Sequence, residues 1–125
     1  MDSGVRRCRL SRECLGARLH AEALAFSGAV HVSVYGGDLP HIGAVSVVGP
    51  DGAVATTQFP GHRDGAVSEA WAKALSERGF RPAVVEAGIH YDGITPEGIR
   101  RVLEAGEALL AALLAEMSEA GDRAH

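Results

Sequence analysis

The sequence has no uninterrupted apolar run near the roughly 18 residues that a membrane-spanning helix needs. Its start also lacks a basic segment followed by an apolar one and a small-residue cleavage site. A soluble cytoplasmic protein is the expectation. Cysteine is scarce: Cys8 and Cys14 have five residues between them, which fits neither a Cys-x-x-Cys redox pair nor a zinc half-site, so free thiols are expected. With one Trp, two Tyr and three Phe, few rings are on hand to stack on a ligand. A surplus of positive charge is missing too. Lys and Arg number 12 against 16 Asp and Glu, a formal net charge of -4, which excludes a general electrostatic hold on nucleic acid. Only the start departs from this balance, where Arg6, Arg7, Arg9 and Arg12 read as a solvated basic arm over residues 1–14.

The common catalytic templates are absent as well. The chain holds no His-Glu-x-x-His helix, no Gly-x-Ser-x-Gly elbow, no phosphate loop ending in Gly-Lys-Ser or Gly-Lys-Thr, and no Gly-x-Gly-x-x-Gly turn. Ser68, His62 and Asp64 have the residue types of a triad, but they crowd into seven positions where the geometry would be poor.

What is present is enough for one domain. The 125 residues, 46% of them hydrophobic and spread in short groups, suit a single core over residues 15–121, with residues 122–125 as a tail. Residues 17–26 and 29–35 read as extended; in the second, Val30, Val32 and Val34 alternate with His31, Ser33 and Tyr35. Ser27 and Gly28 between them suit a tight hairpin turn. Residues 42–48 and 53–59 form a second expected hairpin around Gly49-Pro50-Asp51-Gly52. The joining segment, Gly36 to His41, is a loop rich in residues that tolerate unusual backbone angles.

Beyond Pro60 and Gly61 the period changes. Val67, Ala70, Trp71, Ala74 and Leu75 gather on one helical face, with Asp64 placed to cap the start and Gly79 to end it. Residues 82–90 read as a fifth strand, in which Pro82 suits a first residue or an edge. The last helix opens with Thr95 as N-cap and Pro96 in its first turn, carries a stripe from Ile99, Val102 and Leu103 to Leu113, Leu114 and Met117, and closes at Gly121. An α+β domain follows, with a mainly antiparallel sheet of about five strands and two helices covering one face. Ala21, Ala23, Ala44, Ala53 and Ala55 are expected on the other face. Small and uncharged, they suit packing against a second copy, and a homodimer is expected.

Six histidines are many for this length. His20 and His31 fall within strands and His125 ends the chain. The other three sit at junctions: His41 opens a strand, His62 precedes a helix, and His90 ends a strand just before Asp92. Loops held by a rigid scaffold are where binding groups concentrate. A histidine both donates and accepts hydrogen bonds, and Asp64 and Glu69 near His62 add acceptors, so the cluster can serve a metal, a phosphate or a heteroaromatic ring. Three histidines with an open fourth position would make a metal-dependent enzyme, with Glu69 or Asp64 as general base. A purely structural adaptor would leave them incidental.

Three turns carry a resemblance. Pro40-His41-Ile42-Gly43 after Gly36-Gly37, Phe59-Pro60-Gly61-His62-Arg63-Asp64 leading to Ser68-Glu69, and Ala87-Gly88-Ile89-His90 before Ile94-Thr95 stand in the order and spacing of the LpdD-type prenylated-flavin chaperones. The chain resembles that family from Leu19 to the last helix. The resemblance implies a dimeric α+β protein, similar in fold to small proteasome-assembly chaperones, with no catalytic reaction of its own. It implies that the protein binds reduced prenylated FMN as cargo and delivers it to an apo UbiD-like decarboxylase such as gallate decarboxylase. Residue by residue, it carries cofactor binding to His41, Gly43, His62, Asp64, Glu69 and His90, and assigns no metal ligand. The segment between Phe59 and His62 is shorter than in the family pattern.

Overall fold

A computed structural model describes residues 4–61 and 63–123, with side chains to Met117. The alternating segments form strands β1 (Val5–Cys14), β2 (Ala17–Phe26), β3 (Ala29–Gly37), β4 (Ala44–Val48) and β5 (Val54–Gln58). Helix α1 (Gly65–Glu77), strand β6 (Ala83–His90) and helix α2 (Pro96–Arg123) complete the chain. Both expected hairpins are present, β2 with β3 and β4 with β5. Ser27 and Gly28 both take positive φ, 23° and 92°, as a two-residue turn matched to strand twist requires.

The sheet departs from the expectation in number and direction. It has six strands in the order β1-β2-β3-β6-β4-β5, and the added strand is the segment read as a basic arm. β1 pairs with β2 along its length through a second two-residue turn, Leu15-Gly16, also at positive φ. Its core-side residues, Cys8, Leu10 and Cys14, are diluted by arginines, which hides the alternation and charges an edge that would otherwise recruit another strand. Cys8 and Cys14 carry free thiols. The sheet is mixed, because β6 runs parallel to β3 and antiparallel to β4. Pro82 therefore precedes a central strand instead of marking an edge one.

Both helices lie on one face. α1 covers β4 and β6, and α2 covers β1 and β2. Beneath them Leu19, Ala21, Ala23 and Ala25 of β2, Val30, Val32 and Val34 of β3, and Ala83, Val85 and Ala87 of β6 meet Trp71, Leu75, Leu109 and Leu113. Ala21, Ala23 and Ala44 thus face the helices and are buried, opposite to the expectation, while Ala53 and Ala55 are exposed. Small residues on a sheet let bulky helical side chains approach closely and pack at native density; they do not mark a free surface. The helix-free face carries a polar array instead. Tyr35 donates to Glu22 and stacks on His20 with ring centres 5.0 Å apart, and His31 lies 3.6 Å from Glu86.

Helix α2 runs past Gly121 to Arg123, since a lone glycine near a helix end does not stop it without a left-handed cap. Its apolar stripe divides. Ala105, Leu109, Leu113 and Met117 enter the core, whereas Ile99 and Leu103 remain 48% and 52% exposed.

Candidate functional site

The parallel insertion of β6 decides the site. It carries the end of β6, with His90, beside the segment leading into β4, with His41, and both beside the start of α1. Glycine makes the first approach possible. A Cβ on Gly88 would lie 1.5 Å from the His41 carbonyl oxygen, so only glycine lets the two backbones run this close. A Cβ on Gly37, at φ 82°, would likewise lie 2.2 Å from the His90 carbonyl oxygen.

Asp64 is the buried hub, 7% exposed. One carboxylate oxygen accepts the backbone N–H of Ile89 at 3.1 Å, and the other lies 3.0 Å from Nε2 of His41. It makes no side-chain cap to α1, contrary to the expectation. The free N–H of Gly65 at that helix start is instead taken by Gln58 Oε1 at 2.9 Å. On the far side of the His41 ring, Nδ1 donates to the Leu39 carbonyl at 3.0 Å. The ring is therefore held at both ends, by the Leu39 carbonyl and by the Asp64 carboxylate.

His41 and His90 lie edge to face, ring centres 6.5 Å apart. His90 Nε2 is 2.9 Å from Asp92 Oδ1, and the end of β6 is tied down because Asp38 N–H donates to the His90 carbonyl and Asp92 N–H to the Asp38 carboxylate. Between the two histidines and α2 opens a cavity of about 430 Å³. Its polar end is His41, Arg63, Asp64 and His90, and its apolar wall is Val67, Ile89, Ile94, Ile99 and Leu103. Tyr91 contributes to the lining and donates its hydroxyl to the Cys14 carbonyl at 2.7 Å. Burial, then the adjacent Cys14, pushes this phenol up to about 12, so at neutral pH it is a neutral, fixed ring.

Of the residues singled out from the sequence, His41, Asp64 and His90 come together here. His62 lies outside the described residues, and with it the reading of a three-histidine metal centre. Among the described residues no group of three His, Cys, Asp or Glu side chains is placed to hold a metal ion. Gly43 is a buried splice: its N–H donates to the Ala87 carbonyl and its own carbonyl accepts from Phe59 N–H. Glu69, half-buried on α1, does not line the cavity. Of the two tyrosines, Tyr91 lines it, whereas Tyr35 belongs to the opposite face of the sheet. Sequence reasoning missed the apolar wall, having assigned Ile99, Val102 and Leu103 to the core. Helical phase carried no signal for it, since Val102 shares a face with Ala105, Leu109 and Leu113, and Ile99 is in phase with the buried Met117.

Fold and site together define a small α+β domain with a pocket that has hydrogen-bonding groups at one end and an exposed apolar wall at the other. The chain belongs to the prenylated flavin chaperone LpdD-like domain family, which matches residues 13–118. Its fold is similar to that in the structure described as "Crystal Structure of a Novel Chaperone Complex for Yeast 20S Proteasome Assembly", at 16% sequence identity and a TM-score of 0.57, covering 90% of this chain and 98% of that one. Comparison with curated proteins gives no match. Among the described residues no helix is long and apolar enough to cross a membrane.

Proposed function

We propose that this protein is a cytoplasmic, non-catalytic cofactor chaperone that binds reduced prenylated FMN in the cavity beside His41 and His90 and hands it to an apo UbiD-like decarboxylase during that enzyme's maturation. The observation that carries this reading is the cavity itself, about 430 Å³ with donors at one end and an apolar wall at the other, in a chain of the prenylated flavin chaperone family. Ligand pockets of cofactor size run from roughly 300 to 1,000 Å³. The residues suit such a cargo. Arg63, exposed at the rim, and the imidazole of His90 supply donors for a phosphate, while Ile94, Ile99 and Leu103 offer the ring system a surface that water covers poorly. The Asp64 carboxylate, engaged by His41 and Ile89, is turned away from this role. His62 stays in the proposed set by its place beside Arg63 in the sequence.

Protein mixed anaerobically with reduced prenylated FMN is expected to retain it through gel filtration, while plain oxidised FMN separates. Retention of neither flavin ends this reading. Arg63→Ala and His90→Ala are each expected to weaken retention about tenfold, the worth of one charge-assisted hydrogen bond, with the melting temperature little changed because both side chains are exposed.

The homodimer belongs to the same proposal on different ground. Leu24, His31, Val84 and Val47 stand in one register row across the helix-free face, and a second copy laid on that face would cover its three apolar members. Light scattering is expected to give twice the 13.0 kDa chain mass. A single-chain mass at micromolar concentration removes the dimer and leaves the cofactor reading untouched.

A further inference from the structure

Resting on that functional reading, we infer that the hollow between α1 and α2 seats the prenyl-derived carbons of the cofactor and is what distinguishes prenylated from plain FMN. The cavity does not end at its apolar wall. Val67, Ile89, Val102 and Leu103 line it and also line a second hollow of about 170 Å³, which continues between the helices to Ala66, Trp71, Gly106 and Leu110. The hollow exists because the helices cover different halves of the sheet, α1 over β4 and β6 and α2 over β1 and β2, leaving Val34 of β3 below the gap. The two spaces thus adjoin across these shared residues, the first polar at its histidine end and the second apolar apart from Glu107 at its edge.

Gly106 gives the hollow its meaning. Glycine in a helix interior costs helix stability, and here no backbone requirement offsets that cost. Its φ is not left-handed, and a Cβ built on it would meet nothing within 4 Å. No close approach demands glycine at this place. What its missing side chain provides is space, next to Ala66 and Ala70 on the facing helix. A ligand with its phosphate held at Arg63 and His90 would reach the hollow with the far edge of its ring system, and the prenyl-derived carbons would be covered there. Burying them removes apolar surface from water, which yields affinity that plain FMN lacks.

The test fills the hollow in the full-length protein. Gly106→Leu and the smaller Gly106→Ala are titrated anaerobically with reduced prenylated FMN and, in parallel, with reduced FMN. Gly106→Leu is expected to lose at least about tenfold in affinity for the prenylated form and Gly106→Ala less, with the loss confined to that form. Thermal melts that match or exceed wild type show that both variants fold. Wild-type affinity for prenylated FMN in folded Gly106→Leu overturns the hollow as its seat while the functional reading stands. Equal losses for both flavins also overturn it. If the wild-type protein binds neither flavin, the functional reading falls and takes this inference with it.

Discussion

Replacing Gly88 by alanine is expected to destabilise the protein by about 3 kcal/mol or more, lowering the melting temperature by roughly 10 °C. A methyl group at this position would sit 1.5 Å from the His41 carbonyl oxygen and 2.2 Å from its carbonyl carbon, and backbone cannot swing aside as a flexible side chain can. Relief requires the segment before β4 to part from β6, which strains the bond from Gly43 N–H to the Ala87 carbonyl one residue away. The same movement displaces His41, so cofactor retention falls along with stability. Gly106→Ala is the matched control, because it adds the same methyl group into open space within a helix and should stabilise by about 1 kcal/mol. A melt of Gly88→Ala within a degree or two of wild type would show that the two backbones do not run as close as described.

Asp64→Ala is expected to cost about 2–3 kcal/mol in urea denaturation and to weaken cofactor retention as well. Two groups lose their acceptor at once: the Ile89 N–H in β6 and the His41 ring. Each is partly or wholly withdrawn from water, so the loss is that of unmet donors and exceeds the modest net worth of an ordinary hydrogen bond. Asp64→Asn separates geometry from charge. Its amide oxygen can accept from Ile89 and its amide nitrogen can donate to Nε2 of a neutral His41 whose Nδ1–H still faces Leu39, so most of the stability should return. A cycle combining Asp64→Ala with His41→Ala should show coupling of about 1 kcal/mol or more, as for residues in one network. Additive single effects would mean that the pair does not act as a unit.

Much of the chain was legible without coordinates. Alternation in residues 29–35, turn chemistry at Ser27-Gly28 and around Pro50, and the apolar stripe after Thr95 led to strands, hairpins and helices that are present. These are local signals, each written within a few residues. The strand in residues 5–14 escaped because arginines break its alternation, and its Leu15-Gly16 turn lacks the Asn or Asp that usually marks one. Among the site residues, His41, Asp64 and His90 were legible as polar groups at element ends. The roles were not: Asp64 reads as a helix cap from its place before α1, and only the arrival of Ile89 and His41 from elsewhere turns its carboxylate inward.

The sequence alone therefore determined the elements other than β1, the family resemblance and the turns from which the site is built, because periodicity and turn chemistry act over short distances. The tertiary structure decided which turns meet. β6 enters between β3 and β4, parallel to one and antiparallel to the other, and this pairing of segments far apart in the chain depends on the packed sheet as a whole. From it follow the meeting of His41 with His90, the burial of the alanines beneath the helices, and the division of the α2 stripe into a core half and a cavity wall. A stripe records which residues are apolar. Only the position of the opposing helix says whether they meet protein or an opening left for a ligand.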